Sequence, residues 1–192
     1  MTYTISIGNW GSECVAGEIP DNIWKFIEDE CDSDASTYLE KLEEGEVPED
    51  LKLAEDNSSF YDVPGFFDCY GPYSDGTLTV TDEDDNEIEI DASEFPKETE
   101  YTSCTVGKPY FVWESVEKGG WDATLDIDEP FDKSKLKLHT RKLSYDDDNY
   151  SKEFITAVEY DGQMLDVELN STRGISYELD FYEAEIQEED ED

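Results

Sequence analysis

Positive charge is scarce in this chain. Its 192 residues hold 13 Lys plus Arg against 53 Asp plus Glu, a formal net charge of -40. Direct binding to nucleic acid or to an anionic membrane surface needs a basic patch, so composition argues against both. Histidine occurs once, at His139, and the cysteines Cys14, Cys31, Cys69 and Cys104 include no CxxC pair. Zinc needs closely spaced Cys and His ligands, and that spacing is missing. No apolar run approaches the roughly 18 residues of a membrane span. Met1 to Trp10 also lacks the basic and apolar regions of a secretory signal. A cytoplasmic chain with reduced, partly buried thiols is the expectation.

Signatures of catalysis are also absent. There is no G-x-S-x-G, no P-loop and no G-x-G-x-x-G. His139 lies among basic residues with no nearby Ser or Cys motif, and close carboxylate pairs are unavoidable by chance among so many acids. No enzyme, catalytic residue or cofactor is therefore expected. Calcium is the nearest alternative. Asp82, Asp84 and Asn86 match the first ligand positions of an EF-hand loop, but Glu87 stands where glycine is needed and Ser93 where the closing glutamate is needed. Asp126, Asp128 and Asp132 are a weaker set, so no metal ligands are assigned.

Leu, Ile, Val and Phe make up about 21% of the chain, close to the roughly 20% below which highly charged chains stay unfolded. Phe, Trp and Tyr reach 13%, and large rings supply the buried area that disordered chains lack. A folded protein is expected. The pattern predicts an α+β fold, mainly antiparallel sheet built of hairpins or a meander, with one or two helices in the first 60 residues. Residues 1–182 read as a single acidic domain, and 183–192 as a frayed acidic tail.

Tyr3, Ile5 and Ile7 alternate with Thr and Ser, which predicts an N-terminal strand. A helix after Pro20 carries Trp24 and Ile27, with Asp21 as its cap. A second is capped by Ser33 or Asp34, carries Tyr38, Leu39 and Leu42, and stops at Gly45. Residues 43–58 read as an exposed acidic connector, and the aromatic stretch from Phe60 to Tyr73 as an ordered loop. Strands are predicted at 77–81 and 87–90 around a tip at 82–86. A hairpin is expected between 110–116 and 121–128, turning at Lys118-Gly119-Gly120. Further strands are predicted at 154–160, 163–169 and 175–182, with Asp161-Gly162 as a tight turn. The expected core is Ile5, Ile7, Trp24, Ile27, Leu78, Val80, Ile88, Val112, Leu125, Leu136, Leu138, Val158, Val167, Leu179 and Phe181.

Lys135, Lys137, His139 and Arg141 would share one strand face. Paired in a hairpin with Asp128, Asp126, Thr124 and Asp122 they would form a charge ladder, neutralised within the chain. The rest of the surface is then still more negative. Its densest runs contain Glu43, Glu44, Glu46, Glu49 and Asp50; Asp82, Glu83, Asp84, Asp85, Glu87, Glu89 and Asp91; and Asp146, Asp147 and Asp148.

Solubility alone is served by a net charge of about 2–8 in magnitude, so the excess calls for a reason. A compact chain of this length is about 40 Å across. Duplex DNA of that length carries about 24 phosphates, against roughly 20 net charges on one face of the protein. The expected function is therefore non-enzymatic: a DNA mimic that occupies the basic groove of a nucleic-acid-binding or defence protein, as viral counter-defence inhibitors of restriction do. The named acids would make the contact surface, with Phe66, Phe67 and Tyr70 as aromatic anchors. An acidic interaction or structural domain without mimicry is the alternative, and a calcium-binding β domain a weaker one. Self-repulsion on this scale is screened by salt. The thermal unfolding midpoint is therefore expected to rise by several degrees between 10 mM and 500 mM NaCl; a flat or falling midpoint would contradict that account.

Overall fold

The computed structural model describes residues 1–54, 60, 65, 67–74, 77–91, 96–103, 108–145 and 150–183. It is mostly antiparallel sheet, with two helices between residues 21 and 43. Strand β1 runs over Thr2–Glu18 and strand β6 over Pro109–Asp126, and the two are paired from Thr2↔Asp126 to Glu18↔Tyr110. Strand β10, Glu168–Glu183, covers the far edge of β6. The other edge of β1 is shared. Strand β3, Thr77–Thr81, pairs with its first half, and strand β2, Phe67–Pro72, with its second. Strand β4, Glu87–Asp91, closes this end of the sheet beside β3. The second sheet is ordered β5-β7-β8-β9, from Lys97–Ser103, Leu136–Tyr145, Tyr150–Tyr160 and Gln163–Leu165. Its β5–β7 ladder is parallel, an exception to the expected meander.

One long ladder serves several cores because β1 changes phase. Tyr3, Ile5 and Ile7 are buried at odd positions, Cys14 and Ala16 at even ones. Register shifts between Ser6 and Trp10 make the change, as β-bulges do when an extra residue enters one strand. Gly8 lies at φ +144 there, a conformation that side-chain-bearing residues rarely adopt. The first half of β1 packs with Leu78, Val80, Ile90, Ala123 and Leu125 against Leu136, Leu138, Ile155 and Val158 of the second sheet. Cys14, Ala16, Phe67, Cys69 and Val112 meet Leu143 and Phe154. The odd residues of the second half face the helices.

Helix α1, Asp21–Cys31, buries Ile23, Ile27 and Cys31, spaced four apart on one stripe. Its N-cap position is Pro20 rather than Asp21, with no side-chain capping bond. Helix α2, Ala35–Glu43, is capped as expected, the Asp34 carboxylate accepting from the Thr37 amide at 2.7 Å. Both helices cover Val15, Phe111, Trp113 and Leu179, with Trp24 and Tyr38 edge-on to Phe181.

Several expectations are corrected. Of the expected connector at 43–58, residues 43–54 are anchored: Val47, Leu53 and Ala54 are buried, and the Tyr38 hydroxyl accepts from the Leu53 amide at 2.8 Å, while 55–58 lie outside the described residues. Phe67–Pro72 is a strand and not a loop. Lys118-Gly119-Gly120 makes no hairpin, because β6 continues through it as the bulged partner of β1. The ladder of Asp122–Asp128 with Lys135–Arg141 does not form, since both edges of β6 are taken by β1 and β10. Ile88 is 43% exposed, and Trp24, Val167 and Phe181 are only partly buried. The 77–81/87–90 hairpin and the Asp161-Gly162 turn stand as expected. Residues 184–192, most of the anticipated tail, lie outside the described residues.

A buried ion pair joins the sheets. Glu114, 2% exposed, accepts from Ser12 Oγ and Tyr73 Oη, each at 2.6 Å, and pairs with Lys152 of β8. Burial, with Glu114 beside them, raises the Tyr73 hydroxyl and the Cys14 thiol well above their ordinary values. Burial also pushes Cys69, opposite Cys14 in the ladder, up to about 11. These thiols are inert at neutral pH. Removing one partner strands a buried charge, so Lys152→Met is expected to cost about 3 kcal/mol in urea unfolding. Adding Glu114→Gln should recover much of that loss; no recovery would count against the ion pair as its cause.

Candidate functional site

The β3–β4 hairpin presents the first acidic run. At its tip the Asp82 carboxylate accepts from the amides of Asp84 and Asn86, each at 2.9 Å, and from the Asn86 side chain. These bonds, the Asn86 side chain first, hold Asp82 below the ordinary carboxylate range. They also commit that carboxylate to the turn, where an EF-hand would point it at a cation. Among the described residues, no group of three or more His, Cys, Asp and Glu is arranged to hold a metal ion.

Along β4 the pleat sends Ile90 into the core and Glu87, Glu89 and Asp91 to the opposite face. Directly opposed residues share a face, and the ladders extend this one across the sheet. Glu89 lies opposite Thr79, Thr79 opposite Ser6, Ser6 opposite Asp122 and Asp122 opposite Glu168. The next row runs from Glu87 through Thr81 and Thr4 to Thr124. Thr2 adds Asp126, its hydroxyl donating to that carboxylate at 2.6 Å, and the Thr2 amide donates to Glu83. Two carboxylate borders thus flank a strip of hydroxyls, roughly 14 Å apart at three strand spacings. Duplex DNA over 14 Å carries about 8 phosphates, about half of them on one side. Glu87, Glu89, Asp91, Asp122, Asp126 and Glu168 reach at least that density.

Cations are kept away from this face. Residues 1–24, 53–96 and 119–132 contain no Lys or Arg. The second sheet holds Lys97, Lys137, Arg141, Lys142 and Lys152. Lys137 pairs with Glu98 at 2.6 Å, His139 with Glu159 at 2.6 Å, Lys135 with Asp161 at 3.1 Å and Lys97 with Glu153 at 3.9 Å. Lys135, Lys137 and His139 of the basic strip thus meet acids within the chain, though not the acids expected. Arg141 lies over the Phe67 ring and donates to the Asp68 carbonyl.

The other acidic residues fare differently. Glu43, Glu44, Glu46, Glu49 and Asp50 are exposed at the end of α2 and in the following turn, with Lys41–Glu46 and Lys52–Glu49 pairs among them. That region packs over the far half of β1, about 30 Å along the strand from Ser6, so it does not join the hairpin face. Asp146, Asp147, Asp148 and Phe66 lie outside the described residues. Phe67 is fully buried and contacts no solvent, whereas Tyr70 is 50% exposed. Sequence reasoning missed Glu168 as a member of the face and assigned Asp122 and Asp126 to the wrong ladder. Only the pairing with β1 and β10 reveals them.

The lowered Asp82 carboxyl stabilises the hairpin above the unfolded value of about 3.9, and that contribution disappears as pH falls through the folded value. Asn86→Ala is expected to move the Asp82 titration, followed by NMR, back toward 3.9; an unmoved titration would remove Asn86 as the cause. No family model, curated protein or solved structure matches this chain.

Proposed function

We propose that this chain is a non-enzymatic binding protein that presents its acidic sheet face as a nucleic-acid mimic to the basic groove of a nucleic-acid-binding or defence protein. The supporting observation is charge segregation. Carboxylates border one continuous face at duplex-like density, while the segments that form it within residues 1–24, 77–91 and 119–126 hold no Lys or Arg, and Lys97, Lys137 and Lys152 of the second sheet pair with acids. Evenly scattered acids would serve solubility as well, but would not form two borders around a hydroxyl strip. Contact with a basic groove releases the ions condensed on both surfaces, so binding weakens as salt rises. A counter-defence inhibitor acting in a host cytoplasm fits this physics, with the partner occupied stoichiometrically. The Glu43–Asp50 region, on another part of the surface, fits a colloidal role or a second contact.

The test is capture from lysate with tagged protein, eluted in a salt gradient and competed with duplex DNA. One nucleic-acid-processing protein, released by salt and by DNA, is the expected result. Glu87→Lys, Glu89→Lys and Asp91→Lys together should weaken that capture at least tenfold with little change in unfolding midpoint. A partner indifferent to DNA and to these reversals would favour the plain acidic interaction domain.

A further inference from the structure

Between the hairpin face and the helices, part of the helix-side sheet face carries exposed side chains that no described helix covers. One row there runs from Tyr70 through Glu13 and Ser115 to Tyr177, and the next from Pro72 through Gly11 and Glu117 to Ile175. The row beyond, with Val15, Trp113 and Leu179, lies under the helices. Tyr70, Tyr177 and Ile175 are 50%, 65% and 50% exposed. Exposed rings and an aliphatic residue grouped on one face mark a contact surface.

The patch is held in place from below. Tyr70 packs edge-on against the wholly buried Trp121 at 5.1 Å between centroids, and its hydroxyl donates to Glu117 at 3.3 Å. Tyr177 stacks on Trp113 at 6.0 Å. A Cβ on Gly11 would come within 2.6 Å of the Trp121 ring and of the Gly71 carbonyl, so the floor has no slack. Glu13 and Glu117 are diagonal neighbours on adjacent strands, roughly 7 Å apart.

We propose that this slot receives an arginine side chain from a basic partner protein, its guanidinium lying against Tyr70 and bridging Glu13 and Glu117, its stem along Ile175 and Tyr177. A ring face next to paired carboxylates suits a planar, multiply donating cation better than the compact ammonium of lysine. An apolar occupant would leave both carboxylates desolvated and unpaired. Burial, and repulsion from Asp68 and Glu117, raise the Glu13 carboxyl, and a bound cation offsets that repulsion.

The inference rests on the mimic reading for the partner's identity, since a groove built for phosphates offers arginines. Its test does not. The full-length chain is titrated at 150 mM salt with a (Gly-Arg)4 peptide and a (Gly-Lys)4 peptide, followed by NMR. The arginine peptide is expected to bind severalfold more tightly and to shift Tyr70, Glu13 and Glu117 resonances. Glu117→Gln should lower its affinity about tenfold, and Glu13→Gln, kept in hand should the first variant unfold, similarly. Glu28→Gln removes the same charge from the exposed side of α1 and should change affinity less than twofold. Equal binding of both peptides, or equal losses in all three variants, would reduce the slot to diffuse attraction and overturn it. Failure of the peptide test with DNA-competed capture intact would remove the slot alone; the reverse result would remove the mimic alone.

Discussion

The structure depends on the pairing of β1 with β6. Their ladder runs the full length of both strands, and β2, β3 and β10 all pair along its edges. An uninterrupted pleat would have one buried parity along its length. The bulges around Gly8 change that parity, so the same pair buries odd residues against the second sheet at one end and even residues at the other. The odd positions thereby released carry the helices over the second half of the ladder. Where the helices stop, Tyr70 is half exposed and Glu13 and Glu117 are partly exposed on that face.

The second governing constraint is electrostatic. A net charge of -40 opposes compaction. The chain meets it by keeping most acids on solvated faces and by pairing several of its cations with acids. Lys152 goes to buried Glu114, and Lys137 lies between Glu98 and Glu159 on the second sheet. Consequently the hairpin face keeps its full negative charge. Charge sorting of this kind supports mimicry in a way that net charge alone does not, because a groove meets a surface and not a composition.

The two surfaces differ physically. The hairpin face is long-range and yielding: carboxylates and hydroxyls on an edge of the sheet, sensitive to salt. The Tyr70 patch is short-range and rigid, its rings packed on Trp121 and Trp113. Attraction spread over the first would guide encounter, and contact at the second would fix register, the usual division between steering charge and central anchors in protein interfaces.

Local pattern determined much of this protein. The period-two runs at Tyr3–Ile7 and Leu78–Val80, the 82–86 tip, the Asp161-Gly162 turn and the Asp34 cap were all legible, because each rests on neighbours within a few residues. Most of the expected core is buried for the same reason. Net charge alone carried the acidic reading. What the tertiary structure decided is pairing. Lys118-Gly119-Gly120 reads as a turn in isolation, yet a long partner strand makes it a bulge. Phe67 and Tyr70 look alike in sequence, but the pleat opposite β1 buries one and exposes the other. Asp122, Asp126 and Glu168 join Glu87 and Glu89 only because β1 and β3 lie between them. Such neighbours are set by cross-strand register over distances of a hundred residues, which no local periodicity encodes.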